Sequence, residues 1–502
     1  GYVALGANTT GADNTAVGTA ALDANTTASS NTAVGRSALG ANTTGSSNVA
    51  VGAYALDANT TANNNTAIGY ASLSANTTGS ENTALGVNSL LSNTTGHHNQ
   101  AIGYNCMDAN TVGRHNTAIG RDALGANTTG SLNVSIGSYT LSNQTGADNN
   151  IAVGYGALYS NTTGANNVGV GVSVLVANTT GANNVAVGHN ALDANTTGGQ
   201  LVAVGYGALS ANTTADSNVA VGDNTLNDNT TGSANTAIGR SALASNTTAS
   251  NNTAVGRSAM SSNTTGTENT AVGRSALQNS TTSSYNTAVG DQALNGNTTG
   301  TRGVAVGNNA LTANSTGSYN TACGDSAMGS NTTGSNNVAV GRNTMASSTT
   351  GSSNTACGTS ALYANTGGQY NTASGDSALV SNTTGSYNTA MGRHAMYSNT
   401  TSNDNTAVGH QALYSNTTAT DCVAVGYKAL YSSNANDCTA VGDNALYANT
   451  TGDVNTAVGE RSLLSCTTGR INTAIGGNAM DGVTTGENNT AIGYEAGDAC
   501  TT

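Results

Sequence analysis

The chain has 502 residues, with 12 Lys and Arg against 25 Asp and Glu for a formal net charge of −13, and only 7% of its residues are charged. Phosphate backbones and anionic membrane surfaces bind clustered basic side chains, so composition excludes nucleic acid and anionic lipid as partners. Pro, Trp and Phe are absent and the aromatics are all Tyr, which excludes an ordinary large-residue core, while a regular apolar period argues against disorder.

Asn14-Thr15-Ala16-Val17-Gly18 returns as Asn31-Thr32-Ala33-Val34-Gly35, and the unit recurs with a 17-residue step to Asn489, giving 29 copies. One step is irregular, the 16 residues between Cys422 and Cys438. A short fixed step is the signature of a stacked repeat, here with the consensus N-T-A-V-G-x-x-A-L-x-A-N-T-T-G-S-x. Gly1 falls on the fifth repeat position and Thr502 on the fourteenth, without initiator Met or divergent cap. The expectation is one continuous array over residues 1–502, with partial coils at both ends, cut from a longer chain or fibre. No apolar run approaches the roughly 18 residues of a membrane span, so membrane insertion is not expected.

Within each unit, Thr-Ala-Val at positions two to four predicts a short strand. The glycine that follows, Gly18, Gly35, Gly52 and every counterpart, marks a positive φ or a close approach to the next unit. Position three is Ala except at Ser135 and Gly169, and is read as sterically closed. Position four is mostly Val or Ile and position nine mostly Leu, and these two are the predicted core. Ala-Leu at positions eight and nine predicts a second short strand, closed by the Asn-Thr-Thr-Gly turn. Glycines and Thr pairs leave no room for a helix. The expected fold is all-β, a parallel β-solenoid or β-roll of about 29 coils, near 140 Å long at a strand spacing of about 4.8 Å. One Val and one Leu per coil bury little against the entropy of ordering 17 residues, which predicts further burial against other chains. The small third position is the expected face of close approach, as in a homotrimer.

In a solenoid each position becomes a column, and function is sought in columns. The first, including Asn14 and Asn31, is read as a stacked amide ladder, with ligand binding as the alternative. The twelfth places Asn8, Asn25, Asn42, Asn59, Asn76, Asn93, Asn127, Asn161, Asn178, Asn195 and Asn331 before Thr-Thr, formal N-glycosylation acceptors or again a turn ladder. The adjacent Thr columns raise ice binding, but neighbours in sequence point opposite ways and make no obvious flat two-column array. His98 and His115 share a position in consecutive coils, with His97 beside them, and are weak candidates for a metal pair. No carboxylate partner is evident for them, and surface decoration is the alternative. Tyrosines at variable positions either cover the neighbouring Leu or stack on sugars. Cys422 and Cys438, at first positions of consecutive coils, are candidates for a coil-to-coil disulfide. No nucleophile–base grouping, carboxylate pair or phosphate loop occurs, so neither an enzyme nor a cofactor is expected.

The segment Asn65-Thr66-Ala67-Ile68-Gly69-Tyr70-Ala71-Ser72-Leu73 resembles the head repeat of trimeric autotransporter adhesins, with its (S/T)-(V/A)-A-(I/V)-G-x-x-A unit. Asn388 to Thr401 and Asn405 to Thr418 look like repeats of phage and bacterial tail-fibre proteins. The resemblance implies a left-handed parallel β-roll in a homotrimer. The adhesin unit is shorter, and the extra residues here fall around Asn-Thr-Thr. The expected function is a non-enzymatic structural fibre, the shaft or stalk of a tail fibre or surface adhesin, located outside the cell, on its surface or on a virion. Its expected partners are copies of itself, as a homotrimer or end to end, and cell-surface glycans. A self-assembling filament carrying N-glycans is the alternative, and an ice- or carbohydrate-binding repeat protein is the third reading.

Overall fold

The computed structural model describes residues 1–501. They form two compact units, Gly1–Ser250 and Asn251–Thr502, and the same coil builds each. The first unit holds 14 three-residue strands, from Thr15–Val17 to Thr236–Ile238, and the second holds 15, from Thr253–Val255 to Thr490–Ile492. Within each unit every strand pairs in parallel with the next in register, as Thr15↔Thr32 and Thr253↔Thr270 show. The register step stays at 17 residues except where Val423 pairs with Thr439. The described residues contain no helix. Each unit is therefore an all-β parallel β-solenoid with a 17-residue repeat.

Each coil has one strand. Positions eight and nine, expected as a second strand, lie in a turn where the position-nine residue takes left-handed φ, for example Leu22 at 53° and Leu39 at 51°. Positions seven and seventeen do the same, as Ser37 (57°) and Ser30 (61°) show. Left-handed backbone is costly for residues with a Cβ, yet here it recurs in almost every coil. The turn still joins the coils, because Leu39 N–H donates to the Ala55 carbonyl at 3.0 Å. Two periods of alternation would be needed to tell a strand from such a turn, and Ala-Leu offers only two residues.

The core also differs from the expectation. Position three, the small residue, points inward: Ala33, Ala50 and Ala67 are fully buried, together with Ala38, Leu39, Ala55 and Leu56 at positions eight and nine. Position four points outward, with Val17, Ile68 and Leu85 exposed. A three-residue strand puts its middle side chain on one face and both flanking ones on the other. The interior of so narrow a coil has space for an alanine methyl against Leu and not for Val. The argument that placed a chain-to-chain contact on the third column is thereby overturned, since that column is enclosed within its own coil.

Glycine at position five is required twice over. Its φ lies near +138° at Gly18, Gly35 and Gly52, and a Cβ on Gly35 would fall 2.4 Å from the Gly52 carbonyl oxygen. Gly86→Ala, whose added methyl would lie 2.2 Å from the Gly103 carbonyl oxygen, is expected to destabilise the surrounding coils by about 3 kcal/mol, measured as a lower urea midpoint.

A second prediction comes from an interrupted column. Among the described residues, Asn331 Oδ1 and Ser348 Oγ are buried without hydrogen-bond partners, because Ser348 stands at position twelve, where most coils carry Asn. Ser348→Asn is expected to supply the missing amide and stabilise these coils by about 1 kcal/mol, read as slower amide hydrogen exchange around residues 331–365.

Candidate functional site

The polar half of the coil interior is built from two buried asparagines and one carbonyl. In the coil that starts at Asn31, Asn31 Nδ2 and Asn42 Nδ2 both donate to the Gly45 carbonyl oxygen, each at 2.9 Å. The ladders then run between coils: Asn14 Oδ1 accepts from Asn31 N–H (2.9 Å), and Asn25 Oδ1 accepts from Asn42 Nδ2 (3.1 Å). Buried polar groups carry this cost only when bonded, and here they are bonded along the column. Asn25, Asn42, Asn59, Asn76, Asn93, Asn127, Asn161, Asn178, Asn195 and Asn331 are all fully buried. A glycan needs the Nδ2 that these residues commit to a carbonyl inside the coil, so the sequon reading fails for them in the folded chain. Asn8 alone of the acceptors named above is exposed, and its Nδ2 donates to the Gly11 carbonyl at 3.0 Å.

Outside, two columns form a regular face that sequence reasoning missed. Positions two and four flank the buried alanine on every strand, so Thr or Val and Val or Ile stand side by side up each sheet, as at Val168 and Val170 or Val185 and Val187. The signal was present in the period of two and was assigned to the wrong side. The position-thirteen Thr hydroxyls are engaged between coils, Thr43 Oγ1 donating to the Thr60 carbonyl at 3.1 Å, while position-fourteen residues such as Thr44 are exposed.

The tyrosines neither cover Leu nor lie open as isolated platforms in the second unit. Tyr397, Tyr414, Tyr431 and Tyr447, at position ten of four consecutive coils, stack at 5.1, 5.1 and 5.2 Å with planes within 10°. Their faces are used by one another. Lys428 Nζ lies 5.2 Å and 5.3 Å from the Tyr427 and Tyr431 rings, and Arg302 is held between Tyr285 and Tyr319 at 5.3 and 5.4 Å. In the first unit, Tyr139, Tyr155 and Tyr159 border a shallow recess that Gly156 leaves open.

The histidines are closer to one another than the sequence suggested. His98 and His115 stack at 4.8 Å with planes 11° apart, and His97 sits edge-on to both, at 5.1 and 5.6 Å. A carboxylate is also present: Glu81 Oε2 lies 2.8 Å from His98 Nδ1. Glu81, His98 and His115 all occupy position seventeen, the column signal by which this partner could have been found. Partial burial, and then the charges of His98, His97 and Arg114, lower the His115 pKa. In the second unit, His394 and His410 lie 6.3 Å apart, with Asp376 Oδ2 3.9 Å from His394 Nε2.

Cys422 and Cys438 are free, buried thiols standing in the first-position amide column. Cys422 Sγ lies 3.0 Å from the Ala435 carbonyl and Cys438 Sγ 3.3 Å from the Gly452 carbonyl, the same position-fifteen carbonyl that Asn Nδ2 meets elsewhere. A hydrogen bond with Cys438, followed by burial, pushes the Cys422 pKa well up, and the same bond lowers that of Cys438. Burial raises the Cys466 thiol, in the other amide column, to about 11. The shortened coil between Cys422 and Cys438 lacks one residue of the Thr-Thr turn. There Asn434 Oδ1 accepts from Thr417 N–H and Thr418 N–H, both at 3.1 Å, replacing the carbonyl that Thr60 supplies to Thr43 and Thr44.

No protein-family model matches this sequence, and comparison with curated proteins finds no match.

Cys323, Cys357 and Cys500 are exposed while Cys106, Cys422, Cys438 and Cys466 are buried. A disulfide-exchange reagent is therefore expected to titrate three thiols in the native chain and seven after denaturation. Five after denaturation would instead show Cys422 and Cys438 joined.

Proposed function

We propose that the chain is a non-enzymatic structural fibre, the shaft or stalk of a tail fibre or surface adhesin, working outside the cell or on a virion by carrying attachment sites at a distance. The observation that carries this reading is the sameness of the coil faces. Each coil presents to the next one the same strand register, the same glycine contact and, in most coils, the same two amide columns. Such a surface propagates length and stiffness, and a regular repeated exterior suits multivalent weak contact. The Thr-Thr turn shortened by one residue is bridged by a side chain rather than opened into a cleft, which fits a mechanical role better than a catalytic one.

The partner under this reading is a second copy of the chain, docked through the outward strand face. Val170 and Val187 at position four are each 36% exposed, in a column of apolar side chains whose edges face solvent along the first unit. The third class, ice or carbohydrate binding, is favoured by a different aspect of the same face, its regular pairing of Thr and Val columns, and predicts thermal hysteresis from the purified chain.

For the fibre reading, analytical ultracentrifugation of the full chain is expected to show a discrete oligomer or an end-to-end series. Val170→Lys with Val187→Lys is expected to shift it to monomer with an unchanged far-ultraviolet circular dichroism spectrum. A parent chain that sediments as a monomer at all concentrations would remove self-association from the proposal.

A further inference from the structure

We propose that His97, His98 and His115 form a binding site for one divalent transition-metal ion of the zinc class, with Glu81 orienting His98. Three imidazoles on two consecutive coils present one ligand nitrogen each, all within 4.8 Å of one another. Imidazole nitrogen is a preferred ligand of zinc, copper and nickel, and three such groups leave one coordination position for water.

The backbone beneath these rings is fixed before any ion arrives. His98 N–H donates to the Ser80 carbonyl and His115 N–H to the His97 carbonyl, both at 3.1 Å, so the three Cα positions are set by the coil stack. His98 and His115 also share a left-handed φ of 57°, which aims the two side chains the same way and lets the rings stack. Nitrogens bound to one zinc at about 2.0–2.1 Å must approach more closely than 4.8 Å, and the rings of His98 and His115 are exposed, free to rotate by that amount.

Glu81 gives the cluster direction. Its Oε2 lies 2.8 Å from His98 Nδ1, so Nδ1–H is the donor and Nε2 is left with its lone pair for the ion. A carboxylate behind a ligating imidazole fixes the tautomer and raises the basicity of the nitrogen that binds. The charged groups around the site act in both directions. Glu81 favours a cation, whereas Arg114, the position-sixteen neighbour of His97 in the next coil, opposes one. His115 is kept neutral by partial burial and by the positive charges of His98, His97 and Arg114, so no proton need be displaced from it at neutral pH. Such a site joins consecutive coils of the first unit as a clip and goes beyond the structural role proposed above.

The test uses the full chain, stripped of metal and with exposed thiols alkylated, titrated with Zn²⁺ by calorimetry and with Co²⁺ by visible absorption. One ion per chain is expected, with a dissociation constant on the order of micromolar and cobalt bands free of thiolate charge transfer. His98→Asn and His115→Asn are expected to weaken binding at least tenfold each. Both should fold, because Asn64 and Asn149 hold the same position at φ 60° in other coils. Glu81→Gln is expected to weaken it by roughly tenfold, a change that follows only if the carboxylate acts through His98. The proposal is overturned if the parent binds no Zn²⁺ saturably, or if the triple variant His97→Ser, His98→Asn, His115→Asn binds as the parent does.

Discussion

Two side-chain amides that converge on a single carbonyl are the interaction on which the rest of this fold depends. A 17-residue coil is too narrow to enclose a full apolar core, and its interior holds Leu39 and the alanine methyls on one side and Asn31, Asn42 and the Gly45 carbonyl on the other. A buried amide without partners would be a liability. Stacking turns it into an adhesive, because each Oδ1 left over in one coil meets a donor from the next. The polar half of the interior thus contributes order along the stack that the apolar half could not supply by area alone. Where the column is broken the consequence is local, as at Ser348, where the preceding Asn331 Oδ1 goes unbonded.

The same economy explains the backbone. Closing a coil in so few residues demands turns that ordinary right-handed conformations do not give, and the chain meets this with glycine at position five and left-handed residues at seven, nine and seventeen. Position nine shows how the strain is used: at φ near 51° Leu39 points its side chain into the interior while its N–H still reaches the next coil. At position five no other residue suffices, because the next coil's carbonyl occupies the place of the Cβ.

Much of this was legible from periodicity. The repeat step, the parallel stacking, the strand at Thr32–Val34 and the demand for glycine at Gly35 followed from residues that recur without exception or nearly so. What misled was the common expectation that the larger apolar side chain lies inside. Ala33 and Val34 alternate in direction, but alternation alone does not say which faces in, and the answer depended on the coil's width. The left-handed turns were hidden because Leu and Ser carry no signal for positive φ comparable to that of Gly. The histidine cluster was half visible: His98 and His115 share a column, while Glu81, one coil earlier in that same column, was overlooked because it was sought as a neighbour in sequence rather than as a neighbour in the stack.

The constancy of register has a consequence for heredity. Since one coil accepts its successor through the same contacts wherever it stands in a unit, removing or duplicating 17 codons in frame leaves every remaining interface intact. The coil that begins at Cys422 marks the margin of this tolerance: losing a single residue was accommodated by a substitute oxygen from Asn434. Length in such a gene is therefore a freely variable trait, open to unequal recombination between near-identical units, while the cross-section is held constant.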